Sequence, residues 1–232
     1  MSEEIRERLA RVHQQIAGAA ERAGRSADEI TLIAVSKTFD PATVQQAVKA
    51  GVRNLGENRV QEAVTKAPLV KGDVRWHLIG HLQSNKARHA VEMFQVIHTI
   101  DSVELVGRLD RIAGDVGRRP TVLVQVGLAD EPTKSGAAED ELPAIIEALD
   151  SAHNLEFRGL MTLPPFFDSA ERTRPYFQRL RSILEGLNND RAPNSKLTEL
   201  SMGMSHDFEV AIEEGATMVR VGTAIFGSRE KP

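Results

Sequence analysis

Eight short apolar runs alternate with segments of helical periodicity, and no Gly/Pro/Ser-rich linker or abrupt change of composition divides them. The alternation, the count of eight and the missing linker predict an α/β fold. It is a single (β/α)8 barrel of parallel strands, a TIM barrel, over residues 1–232, with one extra N-terminal helix. An open doubly wound sheet shares the alternation and is separated only by the count. The spacing is irregular, so the pattern is a fold-level rhythm and not a solenoid repeat.

The first helix is read from Ser2, Glu3 and Glu4 followed by Ile5, Leu9, Val12, Ile16, Ala19 and Ala20, with Gly24 as its end; it is expected to pack across one end of the domain. The first strand lies in Leu32-Ile33-Ala34-Val35-Ser36-Lys37-Thr38. Its length and β-branched content suit a strand buried on both faces, Ile33 and Val35 pointing one way, Leu32 and Ala34 the other. Asp40-Pro41 stops it and opens a helix to Ala50, which Gly51 closes. Val52 to Leu55 is the second strand, and Gly56-Glu57-Asn58 opens a helix running to about Lys66. The third strand is Arg75 to Ile79, followed by Gly80 and a helix from about Ser84 to Glu92. Gln95 to Ile100 is the fourth, with Asp101-Ser102 capping the next helix. Pro120 to Gly127 is the fifth, followed by a polar loop from Ala129 to Gly136 and a helix from Ala138 to Asp150. Glu156 to Leu163 is the sixth, and Pro164-Pro165 breaks the pattern before a helix from Ser169 to Leu187. A polar connection from Asn188 to Ser195 leads to the seventh strand, Leu197 to Ser201. A helix starts near Ser205, and Thr217 to Val221 is the eighth strand.

Composition narrows the function classes. The 232 residues are 41% hydrophobic and 27% charged, the mix of a globular protein with a sizeable core. A net charge of -4 gives no sign of a nucleic-acid or anionic-membrane partner. The absence of cysteine removes disulfides, thiolate chemistry and cysteine-bound zinc, and fits a reducing cytosol. The charged start Met1-Ser2-Glu3-Glu4-Ile5-Arg6 is no signal peptide, and no stretch approaches the ~20 apolar residues of a membrane span. A cytoplasmic location is expected.

Three features point to chemistry. Lys37 ends the first strand, where barrels of parallel strands place their reactive groups, and partial desolvation there would favour a nucleophilic amine; a lysine that merely snorkels into water is the plainer reading. The loops Leu200-Ser201-Met202-Gly203-Met204-Ser205 and Val221-Gly222-Thr223-Ala224-Ile225-Phe226-Gly227 follow the last two strands, a common phosphate site in such barrels. Ser205 and Thr223 could add hydroxyls; alternatively Ser205 is an ordinary N-cap and Gly222 a turn glycine. Arg220 interrupts a strand that should be buried on both faces, and its guanidinium needs a partner: either an ion pair with Glu57 or Glu199, or a ligand. A reactive lysine, a phosphate site and a fixed arginine in one barrel together describe a pocket for pyridoxal phosphate. Other residues carry less. His77 and His81 are four apart, but Gly80 and the strand-to-loop reading deny them a helical face, so no metal site is expected. His206 is expected to be exposed, and the pairs Glu3/Glu4 and Glu213/Glu214 to be solvated helix charges. Lys134 lies on a polar loop, where solvation is favoured over anion binding, and Tyr176 on an outer helix as a packing residue.

The segments Ala34 to Lys37, Gly56 to Glu62, Trp76 to Lys86, Gly159 to Thr162, Leu200 to Ser205 and Val219 to Gly227 span nearly the whole chain, and in them it resembles the YggS/PROSC family of pyridoxal phosphate homeostasis proteins. The resemblance implies a barrel like the N-terminal domain of alanine racemase, with Lys37 as the Schiff-base lysine and the phosphate on the two late loops, where Ser201, Gly203, Ser205, Gly222 and Thr223 lie. It also implies that Arg220 faces the pyridine nitrogen and that Asn58 lies beside the ring; Asn58 also reads as a helix N-cap. The expected role is a binding protein in vitamin B6 homeostasis and cofactor delivery, meeting pyridoxal-phosphate-dependent apo-enzymes transiently, without robust turnover. A racemase needs a second base from another domain, and the chain ends at Pro232, soon after the eighth strand. An amino-acid enzyme of the racemase type and a Schiff-base aldolase are the alternatives, and a monomer is expected.

Overall fold

The computed structural model describes residues 2–128 and 136–227. Eight strands, β1 (Thr31–Val35), β2 (Asn54–Glu57), β3 (Arg75–Leu78), β4 (Val96–Ile100), β5 (Thr121–Gln125), β6 (Glu156–Met161), β7 (Glu199–Met204) and β8 (Met218–Val221), pair in chain order and close into a barrel. Every pairing is parallel, including the closure of β8 on β1, where Ile33 stands opposite Arg220. The helices are α1 (Ser2–Arg22), α2 (Pro41–Lys49), α3 (Val60–Lys66), α4 (Ala87–Met93), α5 (Val103–Val116), α6 (Leu142–Asp150), α7 (Arg174–Asn188), α8 (Phe208–Glu213) and α9 (Thr223–Phe226). The predicted (β/α)8 TIM barrel with its N-terminal helix is the fold.

Strand alternation divides the apolar residues into two cores. Outward residues such as Leu55, Ile97, Leu160 and Val219 join the buried faces of the helices in one large cluster, the main hydrophobic contribution to stability. Inward, Ile33, Leu123, Met161 and Met218 form a small separate cluster. Much of the remaining interior is polar. His77, His98, Ser201 and Arg220 are all buried on β3, β4, β7 and β8. A buried polar side chain is tolerated only with partners, so this half of the interior is held by hydrogen bonds rather than by close packing of methyl groups.

Tertiary contacts move several elements from their sequence positions. The second strand lies two residues later than the Val52–Leu55 reading, at Asn54–Glu57, its last residue Glu57 buried between the barrel and α3 by bonds from Ser36 and Lys66. Asn58 is consequently no N-cap; Arg59 precedes α3 in that position without a side-chain cap. The seventh strand continues to Met204 instead of ending at Ser201, and Asp207, not Ser205, stands at the N-cap position of α8. The first helix does not lie across a barrel end. It packs against α8, α9 and α2, filling the outer ring where α9, four residues long, leaves room. Glu213 and Glu214 are not simply solvated: Arg174 bonds both, Arg22 reaches Glu213 at 2.7 Å, and Glu214 is 6% exposed.

Candidate functional site

At the C-terminal ends of the strands lies a cavity of about 390 Å³, within the ~300–1,000 Å³ of small-molecule sites. Its polar lining is Lys37, Asn58, Ser205, His206, Arg220 and Thr223, and its apolar walls are Val35, Ile79, Leu163, Phe166 and Met204. Alternation explains the convergence: Val35 and Lys37 share the inward parity of Ile33, as Arg220 shares that of Met218. Six of the residues singled out in the sequence meet here, namely Lys37, Asn58, Ser205, Arg220, Gly222 and Thr223.

Lys37 is half-buried at the end of β1, and the backbone beside it is fixed. Thr38 has φ 70°, unusual for a β-branched residue, and its N–H donates to the Glu62 carboxylate. Beneath, Lys66 Nζ donates to the Ser36 carbonyl at 2.8 Å and to Glu62 at 3.0 Å, and pairs with Glu57 at 2.5 Å. Burial pushes the Glu57 carboxyl up from its ordinary value, while bonds from Lys66 and Ser36 pull the other way. A buried Glu57–Lys66 pair under the first strand therefore anchors the turn that carries Lys37.

Arg220 pairs with neither Glu57 nor Glu199. Its Nη1 donates to Ser201 Oγ at 2.6 Å and its Nη2 to the Thr162 carbonyl at 2.8 Å. Both acceptors are neutral. Burial lowers the guanidinium to about 10, so it remains charged at neutral pH, with the Asp207 carboxylate supporting it electrostatically. Burial also raises the Asp207 carboxyl, although the Met204 N–H bonds it at 2.7 Å.

The two late loops are joined by one hydroxyl. Ser205 Oγ accepts from the Gly222 N–H at 3.1 Å and the Ala224 N–H at 3.4 Å. Both lone pairs are thereby used, so the Ser205 O–H is left to donate, and Ser205 lines the cavity. Ser201 and Gly203 do not line it. Ser201 lies in the barrel interior beneath Arg220, and Gly203 has φ 90°, where a Cβ would come within 2.6 Å of the Ala211 Cβ and 2.9 Å of the Phe208 Cα. Gly203 thus lets α8 close on the end of β7 and sets the path of the Met204-Ser205 loop.

His206, expected to be exposed, is exposed and also lines the cavity, its ring 5.4 Å from that of Phe166. Phe166, 76% exposed, and Leu163 went unmarked; the run Leu163-Pro164-Pro165-Phe166-Phe167 after a strand was the available signal. Tyr176 lies on α7, its ring 5.9 Å from Phe167 and outside the cavity lining. His77 and His81 do not meet: His77 is buried against His98, and His81 pairs with Asp101 at 3.4 Å on the surface. Among the described residues no group of three or more His, Asp or Glu could hold a metal ion, and no helix is long and apolar enough to cross a membrane. Lys134 lies outside the described residues.

The family described as "Alanine racemase, N-terminal domain" matches residues 8–230 of this parallel eight-stranded barrel. Alanine racemase from Clostridium difficile shares the fold with a TM-score of 0.70 at 16% identity, over 99% of this chain and 57% of that one. Nearer relatives are more specific. PipY of Synechococcus elongatus, whose structure was determined with PLP bound, is 44% identical with a TM-score of 0.85, over 96% of this chain and 100% of that one. A pyridoxal phosphate homeostasis protein of Pseudomonas aeruginosa is 44% identical over 97% of this chain and 96% of its own, and one of Aquifex aeolicus is 41% identical over 97% and 98%. The chain belongs to the pyridoxal phosphate homeostasis protein family.

Proposed function

We propose that the cavity binds pyridoxal 5'-phosphate and that the protein acts in vitamin B6 homeostasis, holding the cofactor and yielding it to apo-enzymes by transient contact. The observation that carries the reading is the meeting of Lys37, Arg220 and the linked Ser205 and Gly222-Thr223 loops around one cavity of small-molecule size. The residues suit the group. The Lys37 amine can condense with the cofactor aldehyde, a C=N bond forming as the carbonyl oxygen leaves as water, and the bond reverses on hydrolysis, as a carrier requires. Ser205 and Thr223 offer hydroxyl donors to the phosphate. Arg220, a cation that can only donate, would face the ring nitrogen, and Asn58 would flank the ring. When bound, the cofactor supplies an electrophilic aldehyde and an electron-withdrawing ring; an arginine at the ring nitrogen weakens that withdrawal and favours holding over turnover. We further propose that the protein is a cytoplasmic monomer with no nucleic-acid or membrane partner.

The test is the visible absorption of the purified protein with added pyridoxal phosphate, before and after borohydride. A band lost on reduction, with the label on the Lys37 peptide, is expected. Protein that stays colourless at saturating cofactor would reject the reading, and labelling of another lysine at full stoichiometry would reject the linkage.

A further inference from the structure

A continuous row of hydrogen bonds crosses the polar half of the barrel interior from Arg220 to Asn54, and no part of the binding scheme above uses its two histidines. Arg220 Nη1 lies 2.6 Å from Ser201 Oγ, which lies 2.9 Å from His98 Nδ1; His98 Nε2 lies 3.0 Å from His77 Nδ1, and His77 Nε2 lies 3.2 Å from Asn54 Oδ1. Asn54, at the start of β2, borders a second, polar pocket with Arg53, Asp73, Arg75 and Gln95, so the row joins the two ends of the barrel.

Arginine fixes the Ser201 end of this row, and the remaining bonds follow once the Ser201 proton is given to His98. A guanidinium only donates, so Ser201 Oγ accepts from it; the direction taken for the proposal has the Ser201 O–H donating to His98 Nδ1, and the tautomers measured below decide it. His98 then carries its proton on Nε2 and donates to His77 Nδ1, and His77 donates from Nε2 to the Asn54 carbonyl. In this direction both imidazoles are neutral, since an added proton on either ring would set donor against donor. Burial agrees: it lowers His77 to about 3 and His98 well below its ordinary value, and the cations that face them, Arg75 and Arg220, act in the same direction. Bonds aligned head to tail polarise one another, which makes Ser201 Oγ a strong acceptor without making it an anion.

We propose that His98, backed by His77, is a positioning residue for the ligand. Through Ser201 it holds Arg220 by hydrogen bonds to neutral acceptors, with no carboxylate bonded to it, so that the guanidinium presents its charge and a fixed N–H to the cavity and selects a heteroaromatic nitrogen that carries no proton. A carboxylate in the place of Ser201 would cancel that charge and tolerate a protonated ring. The proposal rests on the reading that Arg220 meets the ring nitrogen of the cofactor.

Two measurements test it. In the first, dissociation constants are compared for pyridoxal phosphate and its 1-deaza analogue, which has C–H in place of the ring nitrogen. The unaltered protein should prefer pyridoxal phosphate, and His98→Leu and Ser201→Ala should each lose that preference by about tenfold or more. His98→Gln, whose amide can accept from Ser201 and donate to His77, should keep most of it. Circular dichroism establishes that each variant is folded. Equal weakening of both ligands, as a packing role requires, or an unchanged preference, would overturn the proposal, as would an unaltered protein that binds both ligands equally. In the second, ¹⁵N NMR of the ligand-free protein should show both imidazoles as Nε2–H tautomers that do not titrate between about pH 5 and 9, the range in which an ordinary histidine changes charge. An Nδ1–H tautomer or a titration in that range sinks the relay. Failure of the unaltered protein to bind either ligand would instead reject the cofactor reading, since the tautomers are read without ligand.

Discussion

At the level of single residues, the cavity separates two tasks that point mutations should distinguish. Lys37 is placed by its strand end and by the turn that Glu62 ties at Thr38. Lys37→Ala should abolish the visible band and borohydride trapping while leaving the fold intact, because a half-buried strand-end lysine supplies little packing. Ser205 and Thr223 should matter more to the phosphate than to the rest of the cofactor. Ser205→Ala combined with Thr223→Val removes two hydroxyl donors, each of which contributes ~1.5–3 kcal/mol when it bonds a charged group. Affinity for pyridoxal phosphate should fall at least tenfold and that for pyridoxal much less; equal losses in parallel titrations would exclude a phosphate contact. Ser205→Ala also leaves the Gly222 and Ala224 N–H groups without their acceptor, so part of the loss will reflect the loop itself.

At the level of elements, the outer ring is clasped by ions as well as by apolar faces. Arg174 bonds Glu213 and Glu214, and Arg22 bonds Glu213, so α1 and α7 are both tied to the end of α8. Bonds from Arg174, and then from Arg22, hold the Glu213 carboxyl below its ordinary value. A carboxyl depressed in the folded state stabilises the protein above its unfolded-state pKa and loses that contribution as the pH falls through its folded-state pKa. Glu213→Gln should therefore cost about 0.5–1 kcal/mol at neutral pH, and the difference should vanish in acid, as followed by urea unfolding across pH. Gly203 makes a second prediction at this scale. Its positive φ and the approach of α8 leave no room for a methyl group, so Gly203→Ala should cost about 1–3 kcal/mol and weaken cofactor binding by shifting Ser205. Unchanged stability and affinity would show that the loop path does not depend on this contact.

At the level of the whole molecule, the question is whether a barrel shared with alanine racemase also turns over an amino acid. Tyr176 packs with Phe167 on the outer layer, and the titratable groups lining the cavity are Lys37, His206 and Arg220. If Arg220 opposes a protonated ring nitrogen as proposed, deuterium exchange at the α-carbon of L-alanine in heavy water should stay far below enzymatic rates of ~1–1000 per second, and no D-alanine should accumulate. Rapid exchange lost in both Lys37→Ala and His206→Ala would make those two residues an acid–base couple and the protein an enzyme.

The sequence by itself determined the eight-fold alternation, the shared face of Ile33 and Val35, the placement of the last two loops after consecutive strands and the need of Arg220 for a partner, since each is a local property of period, turn residue or buried charge. It did not determine which partner. Ser201 was read as a loop residue near the phosphate and lies instead beneath Arg220, while His98, four residues into the fourth predicted strand, passed as ordinary strand filling. The same limit hid the Glu57–Lys66 pair, the ionic clasp of Glu213 and Glu214, and the place of the first helix in the outer ring. Most of these contacts join strands and helices far apart in the chain, and the stagger between strands as the barrel closes decides which inward side chains share a level. A strand's own alternation records the face a residue takes but not the level at which it meets its neighbours, so the Arg220–Ser201–His98–His77–Asn54 row exists only once all eight strands are in register.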